Sequence, residues 1–351
     1  MTFATSTTRK NSLAELIASR KALRSFAMPF AMSFAGPFAM FLLLCASLSG
    51  AAMAVERGTI VRRAVLYVAP DVTSAKLATV DRGREAVVLE RTPGWVHVIA
   101  TLMDAPYNPD PEATRARNVT GWLLDKGYIS DQTAKGDQIL FGEAADSEDE
   151  ASRSHGRKDA AVDARRLYYR VFELFPKSPL AAEALYRAAD IQWQLDKLDM
   201  QSRPSYKKTS PGDRQPIDEE AMKLVHKKFP GTKWADMASF EMIENKLCAD
   251  WAGASKCPEK EADIYEKYAN EHPNSPNAAE AYYNAAYRWA SIATIYSSEG
   301  QSKKIPEAQK RALAAAQKVI DKNTSPEWNA KAERILYMVQ KEIPVYGSSV
   351  E

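Results

Sequence analysis

Cysteine, histidine and glycine are scarce in this 351-residue chain, at three, four and fifteen copies. Each scarcity excludes a kind of chemistry. His97, His155, His226 and His272 share no helix turn with one another or with a cysteine, so no zinc-ligand spacing occurs. The glycines form no phosphate-cradling loop and no dinucleotide turn, and no G-x-S-x-G elbow is found. With no nucleophile set beside a base, the chain carries no enzyme signature and calls for no cofactor. An excess of one charge is also lacking. The formal net charge is +2, but Arg9, Lys10, Arg20, Lys21 and Arg24 precede position 55 against Glu15 alone, so the remainder is close to neutral. Without clustered Lys and Arg to neutralise phosphates, nucleic acid is excluded as a partner. Hydrophobic residues at 45% and charged residues at 26% match a globular chain, neither disordered throughout nor polytopic in a membrane.

What is present begins with one uncharged run, Ser25–Val55, whose apolar centre is FAMFLLLCASL. Basic residues before it and the small-x-small triplet Ala52-Met53-Ala54 at its end give the profile of a secretory signal over residues 1–54. Cleavage is expected between Ala54 and Val55. Two alternatives remain open: a retained membrane anchor, with membrane association through residues 25–55, or a lipoprotein modified at Cys45 after Leu42-Leu43-Leu44. Pro29, Gly36 and Pro37 interrupt the run as a spanning helix, and Leu44 is large for the position before a lipidated cysteine. All three readings export the chain, to the periplasm or cell envelope or to a membrane-anchored position there.

Over residues 55–131 short strand-type runs follow one another: IVRRAVLYV, KLATV, EAVVLE, GWVHVIATL and GWLL, separated by turn residues. Strands at this spacing predict a small all-β barrel or sandwich. Gly83 before a hydrophobic strand, then Gly94-Trp95-Val96-His97-Val98, Gly121-Trp122-Leu123 and Tyr128-Ile129, resemble the bacterial SH3-like (SH3b) family. That resemblance implies a closed barrel that binds cell-wall peptide or a protein partner. The sequence departs from the family in its first strand and in the long insertion MDAPYNPDPEATRARN. Trp95 and Trp122 have two readings, as core tryptophans of a small barrel or as rings on which a ligand stacks.

Residues 132–157 are rich in charge and are expected to form a polar linker. Beyond it, residues 158–346 carry an imperfect repeat: FPKSPLAAEALYRAA, FPGTKWADMASFEMI and HPNSPNAAEAYYNAA. Aligned on Pro176, Pro230 and Pro273, the copies place alanine at 181, 235 and 278 and again at 184, 238 and 281. Upstream lie apolar stripes at 3,4 spacing, Tyr168-Val171-Phe172-Phe175 among them. Each unit therefore predicts a helix, a proline-marked turn and a second helix with a small face. A degraded copy after Pro306 reads as a capping unit, and residues 347–351 as a tail. The segment "fP.S..a..A.y..a" resembles the tetratricopeptide-like repeats of bacterial outer-membrane-assembly and envelope scaffold lipoproteins, although the prolines stand 54 and 43 apart, not 34.

Together these features predict a multidomain protein, an SH3-like barrel followed by an all-α helical-hairpin solenoid. Its expected function is that of an exported envelope adaptor, holding an envelope protein or peptide partner in a groove and docking to peptidoglycan or a second partner through the barrel. Tyr186, Trp193, Phe240, Tyr282, Tyr283 and Trp289 are candidate partner anchors, with packing between repeats as the alternative. A self-associating structural protein and an accessory or degenerate cell-wall hydrolase are the other two readings. Cys248 and Cys257 are the two cysteines left after cleavage, and an oxidising compartment predicts a disulfide between them. Nine residues apart on one helix they would be about 13 Å distant, so the bond requires a helix break, for which Gly253 and Pro258 offer the means. Two reduced cysteines are the alternative.

Overall fold

The computed structural model describes residues 55–103, 116–248 and 250–347. Residues 1–54, with the expected signal and its Ala54 boundary, most of the insertion and the end of the tail lie outside them. The described residues belong to one compact unit.

Seven antiparallel strands come first: β1 (Arg57–Ile60), β2 (Ala64–Tyr67), β3 (Lys76–Val80), β4 (Glu85–Thr92), β5 (Trp95–Met103), β6 (Ala116–Leu124) and β7 (Tyr128–Ser130). Their order across the sheet is β3-β2-β6-β5-β4-β1-β7. Strict alternation drives the fold. Val96, Val98, Ala100 and Leu102 of β5 turn inward and join Ile60, Leu66, Val80, Ala86, Leu123 and Tyr128 in one core to which every strand contributes. The sheet curls over this core without closing, because β3 and β7 are not paired with each other. The expected closed barrel is thus corrected to an open sheet. Pairing of β5 with β6 runs out to Met103 and Ala116, so both ends of the insertion continue the hairpin.

Among the described residues ten helices follow: α1 (Gly136–Ser152), α2 (Ala160–Leu174), α3 (Ala181–Ser202), α4 (Pro204–Lys208), α5 (Glu220–Lys228), α6 (Lys233–Glu241), α7 (Lys256–Glu271), α8 (Ala278–Ser298), α9 (Ile305–Lys322) and α10 (Pro326–Gln340). The structure departs from the expected linker at 132–157. Residues 136–152 are helical, and Leu140 and Ala144 are buried with Val61 and Ile129 of the sheet region and Leu167 and Val171 of α2. Charge on three sides of α1 hid a narrow apolar stripe, and this stripe joins sheet and helices in one core.

The repeat is realised in the backbone. Phe175, Phe229 and His272, each preceding a proline, adopt nearly one conformation, with φ of −126°, −131° and −122° and ψ of 58°, 52° and 57°. Proline forbids helical geometry at the residue before it, so each first helix stops there. Ser178, Thr232 and Ser275 then donate their backbone N–H to the carbonyls of these same residues. All six repeat alanines are fully buried, which lets the helices of a hairpin approach closely. The polar insert 201–216 folds as α4 and a short 3-10 turn. Beyond it Ile217 is held by Asn245, whose side chain accepts from its N–H and donates to its carbonyl, both at 2.9 Å.

Candidate functional site

The strongest candidate lies on the outer face of the sheet. Because Val96 and Val98 point inward, Trp95 and His97 point outward; the same rule turns Trp122 outward beside the inward Leu123. In register, His97 lies opposite Trp122, Trp95 opposite Leu124, and Tyr67 opposite Trp122 from the other side. The rings touch. His97 stacks on Trp122 at 4.6 Å with 9° between planes, and Tyr67 meets Trp95 edge-on at 5.6 Å. All four are half-buried, and Leu124 beside them is exposed. Core placement of Trp95 and Trp122 is therefore corrected: neither belongs to the inner cluster. Smaller side chains fill the inner face, and Gly121 lets β2 approach, with Tyr67 O only 2.9 Å from where a Cβ would stand. Tyr67 and His97 were not singled out from sequence, yet the alternation in WVHV already puts His97 on the face of Trp95.

Chemically, this face offers flat rings whose side-chain freedom is already lost, an arrangement suited to stacking on a planar or pyranose surface. On the other face, opposite the inward Val96 and over the Tyr128 ring, Arg91 bridges Asp125 at 3.1 Å and Glu56 at 2.5 Å, and its hydrogen bond holds the Glu56 carboxyl below its usual range against the opposing effect of burial.

The six candidate anchors in the helices are placed otherwise. Trp193 is 1% exposed, Tyr186 lies against Trp234 at 5.5 Å, and Phe240 rests on Tyr268 at 5.2 Å. Tyr282 donates to Asn270 at 3.0 Å, Tyr283 packs on Trp328, and Trp289 donates to Glu266 beneath the Arg311 guanidinium. These rings pack in the spaces between hairpins, as the packing alternative expects: the small alanine faces leave room that large aromatics occupy.

Facing the Tyr186 end of α3 is a group of carboxyls, Asp190, Glu241 and Glu280. Burial, followed by the fields of Asp190, Glu244 and Glu280, pushes Glu241 up to about 7. Asp190 and Glu280 are raised as well, again by burial first. In the unfolded chain a glutamate titrates near 4.3, so between about pH 5 and pH 8 the folded protein keeps a proton that the unfolded chain has lost. Stability must fall as pH rises through that window. For a side chain in partial contact with solvent the Glu241 share is about 1–2 kcal/mol. Urea denaturation at the two ends of the window checks this, and Glu241→Gln should flatten the difference by that amount.

Cys248 and Cys257 are brought to disulfide distance, with α-carbons 6.0 Å apart. The helix break that this requires comes earlier than Gly253: α6 ends at Glu241, and Cys248 lies in the loop before α7, with Cys257 in the first turn of α7.

No protein-family profile and no curated protein sequence matches this chain. Among solved structures it is similar to a designed filament, DHF119, at 15% identity and a TM-score of 0.22, over 59% of this chain and 93% of that one. It is also similar to a de novo designed helical repeat protein, DHR64, at 18% identity and a TM-score of 0.19, over 60% and 95%. Likenesses so slight do not bear on fold or function.

Proposed function

We propose that this chain is an exported cell-envelope adaptor, in which an SH3-like sheet module docks to peptidoglycan or a second envelope partner and a tetratricopeptide-like array holds a protein or peptide. The observation that carries the reading is the ring cluster Tyr67, Trp95, His97 and Trp122, held rigidly on a sheet face that the protein's own core does not use. Export is supported by the signal profile of residues 1–54. The repeated helix–proline turn–helix unit, with buried alanines in every copy, supports the array reading.

Sedimentation with purified peptidoglycan tests the docking role. Trp122→Ala and His97→Ala, both outside the inner core, should fold normally and each weaken cosedimentation by about tenfold, the effect of removing a central contact residue. Unchanged sedimentation in both variants would remove the ring cluster from the proposed docking role.

A further inference from the structure

The turn between β3 and β4, Asp81-Arg82-Gly83-Arg84, is set directly on α2. A Cβ at Gly83 would stand 2.5 Å from Arg166 Cβ and 3.2 Å from Leu167 N, and Arg170 Nε donates to the Gly83 carbonyl at 3.1 Å. Thr59 Oγ1 donates to the Arg84 carbonyl at 2.8 Å and fixes the turn from its other side. Arg84 is thereby delivered to the stretch of α2 that carries Arg165, Arg166 and Arg170.

Their charges are unevenly answered. Arg170 pairs with Glu173, and Arg166 donates to Asp163 at 2.8 Å, a carboxylate it shares with Arg157 at 2.7 Å. Among the described residues, Arg84 and Arg165 form no ion pair and their guanidinium groups make no hydrogen bond. Of the carboxylates within reach of their fields, Asp81 is bridged to Arg63 at 3.1 Å, while Asp196, hydrogen-bonded to the neutral Gln192 at 2.6 Å, offsets part of the Arg165 charge without touching it. The Nε atoms of Arg165 and Arg166 are buried without a partner. Burial first, and the neighbouring guanidinium groups after it, lower the proton affinity of Arg84 and Arg165. A guanidinium nevertheless keeps its proton at any physiological pH, so this repulsion cannot be relieved by titration.

We infer that the seam between the β3–β4 turn and α2 is a binding site for a tetrahedral oxyanion of the phosphate class, held by Arg84 and Arg165 with the remaining N–H of Arg166. The two guanidinium groups without a direct ion pair leave net positive charge at the seam, which suits the negative charge of a phosphate monoester at neutral pH, about −1.5 to −2, and guanidinium forks fit phosphate oxygens in pairs. The site joins the sheet to the helices, so its occupant stabilises the junction between them. Its existence does not depend on the adaptor reading.

Titration of the whole protein with inorganic phosphate, against sodium chloride at equal ionic strength, tests the site by calorimetry and by melting temperature. Phosphate is expected to bind and to raise the melting temperature with concentration where chloride does not. Arg165→Gln and Arg84→Ser should each weaken phosphate binding by about 10- to 100-fold, the loss of a charge-assisted contact. Both variants relieve repulsion, so both should fold without phosphate at least as well as the parent; Arg334→Gln on the exposed side of α10 should change nothing. Cosedimentation with phosphatidic acid vesicles, compared with phosphatidylcholine, separates the sources. Vesicle binding lost in both seam variants identifies a lipid headgroup, and phosphate binding without vesicle binding identifies a soluble phosphate. Phosphate acting no differently from chloride on the parent protein, or binding that persists undiminished in both seam variants, would overturn the site.

Discussion

Glu261→Ala is expected to cost about 3–5 kcal/mol, the penalty for removing one partner of a buried ion pair and leaving the other charged. Glu261 is wholly inaccessible, and its carboxylate accepts from Arg288 Nε at 2.8 Å, Trp251 Nε1 at 3.1 Å and the Cys248 backbone N–H at 2.8 Å. Arg288 is 5% exposed, lies over the Tyr265 ring at 4.6 Å, and among the described residues otherwise donates only to Asn284. Alanine would leave a buried guanidinium without a counterion, and the buried Trp251 Nε1–H and the part-buried Cys248 N–H without an acceptor. Glu261→Gln keeps the shape and one acceptor oxygen, so its loss should be smaller. The double variant Glu261→Leu with Arg288→Met removes both charges and should recover much of the stability. Urea denaturation followed by circular dichroism reads all three. A loss below about 1 kcal/mol for Glu261→Ala would show that the loop before α7 does not depend on this carboxylate.

The contrast between this buried pair and the repeat shows what the sequence made legible. Alanines at 181, 184, 235, 238, 278 and 281 announce a close helix contact because only a small side chain permits it, and prolines 176, 230 and 273 announce helix ends because the preceding residue cannot be helical. Such constraints are local, and the spacing records them. Glu261 looks like any exposed glutamate on a charged helix; its burial depends on Arg288, 27 residues away, and on Trp251 in a loop. The outer ring cluster was half legible. WVHV gives the alternation, but which face is inward depends on Gly121 and on the strand order, and neither can be read from one strand alone. The linker expectation over 132–157 failed for a related reason. Leu140 and Ala144 make a stripe too narrow to register against the acidic residues around them, until Val61, Ile129 and Leu167 are brought to it by the fold.

The second large effect concerns the bond between Cys248 and Cys257. Cys257→Ser, or reduction, should lower stability by about 2–3 kcal/mol and the melting temperature by roughly 4–8 °C, since closing a loop of about ten residues restricts the unfolded chain by that much. The native loop has other ties. Trp251 is buried, Glu299 accepts the Ser255 backbone N–H at 2.9 Å, and Glu261 accepts from Cys248. Reduction should therefore leave the folded structure in place and act chiefly on the unfolded state. The loop is also where the two large effects meet. Cys257→Ser combined with Glu261→Gln should not be additive, because both act through the position of Cys248. Alkylation of freshly isolated native protein, followed by non-reducing peptide mapping, should find neither cysteine modified and one peptide joining both. Two freely alkylated thiols, with a melting temperature that reductant does not change, would show that the pair stands reduced in the native protein.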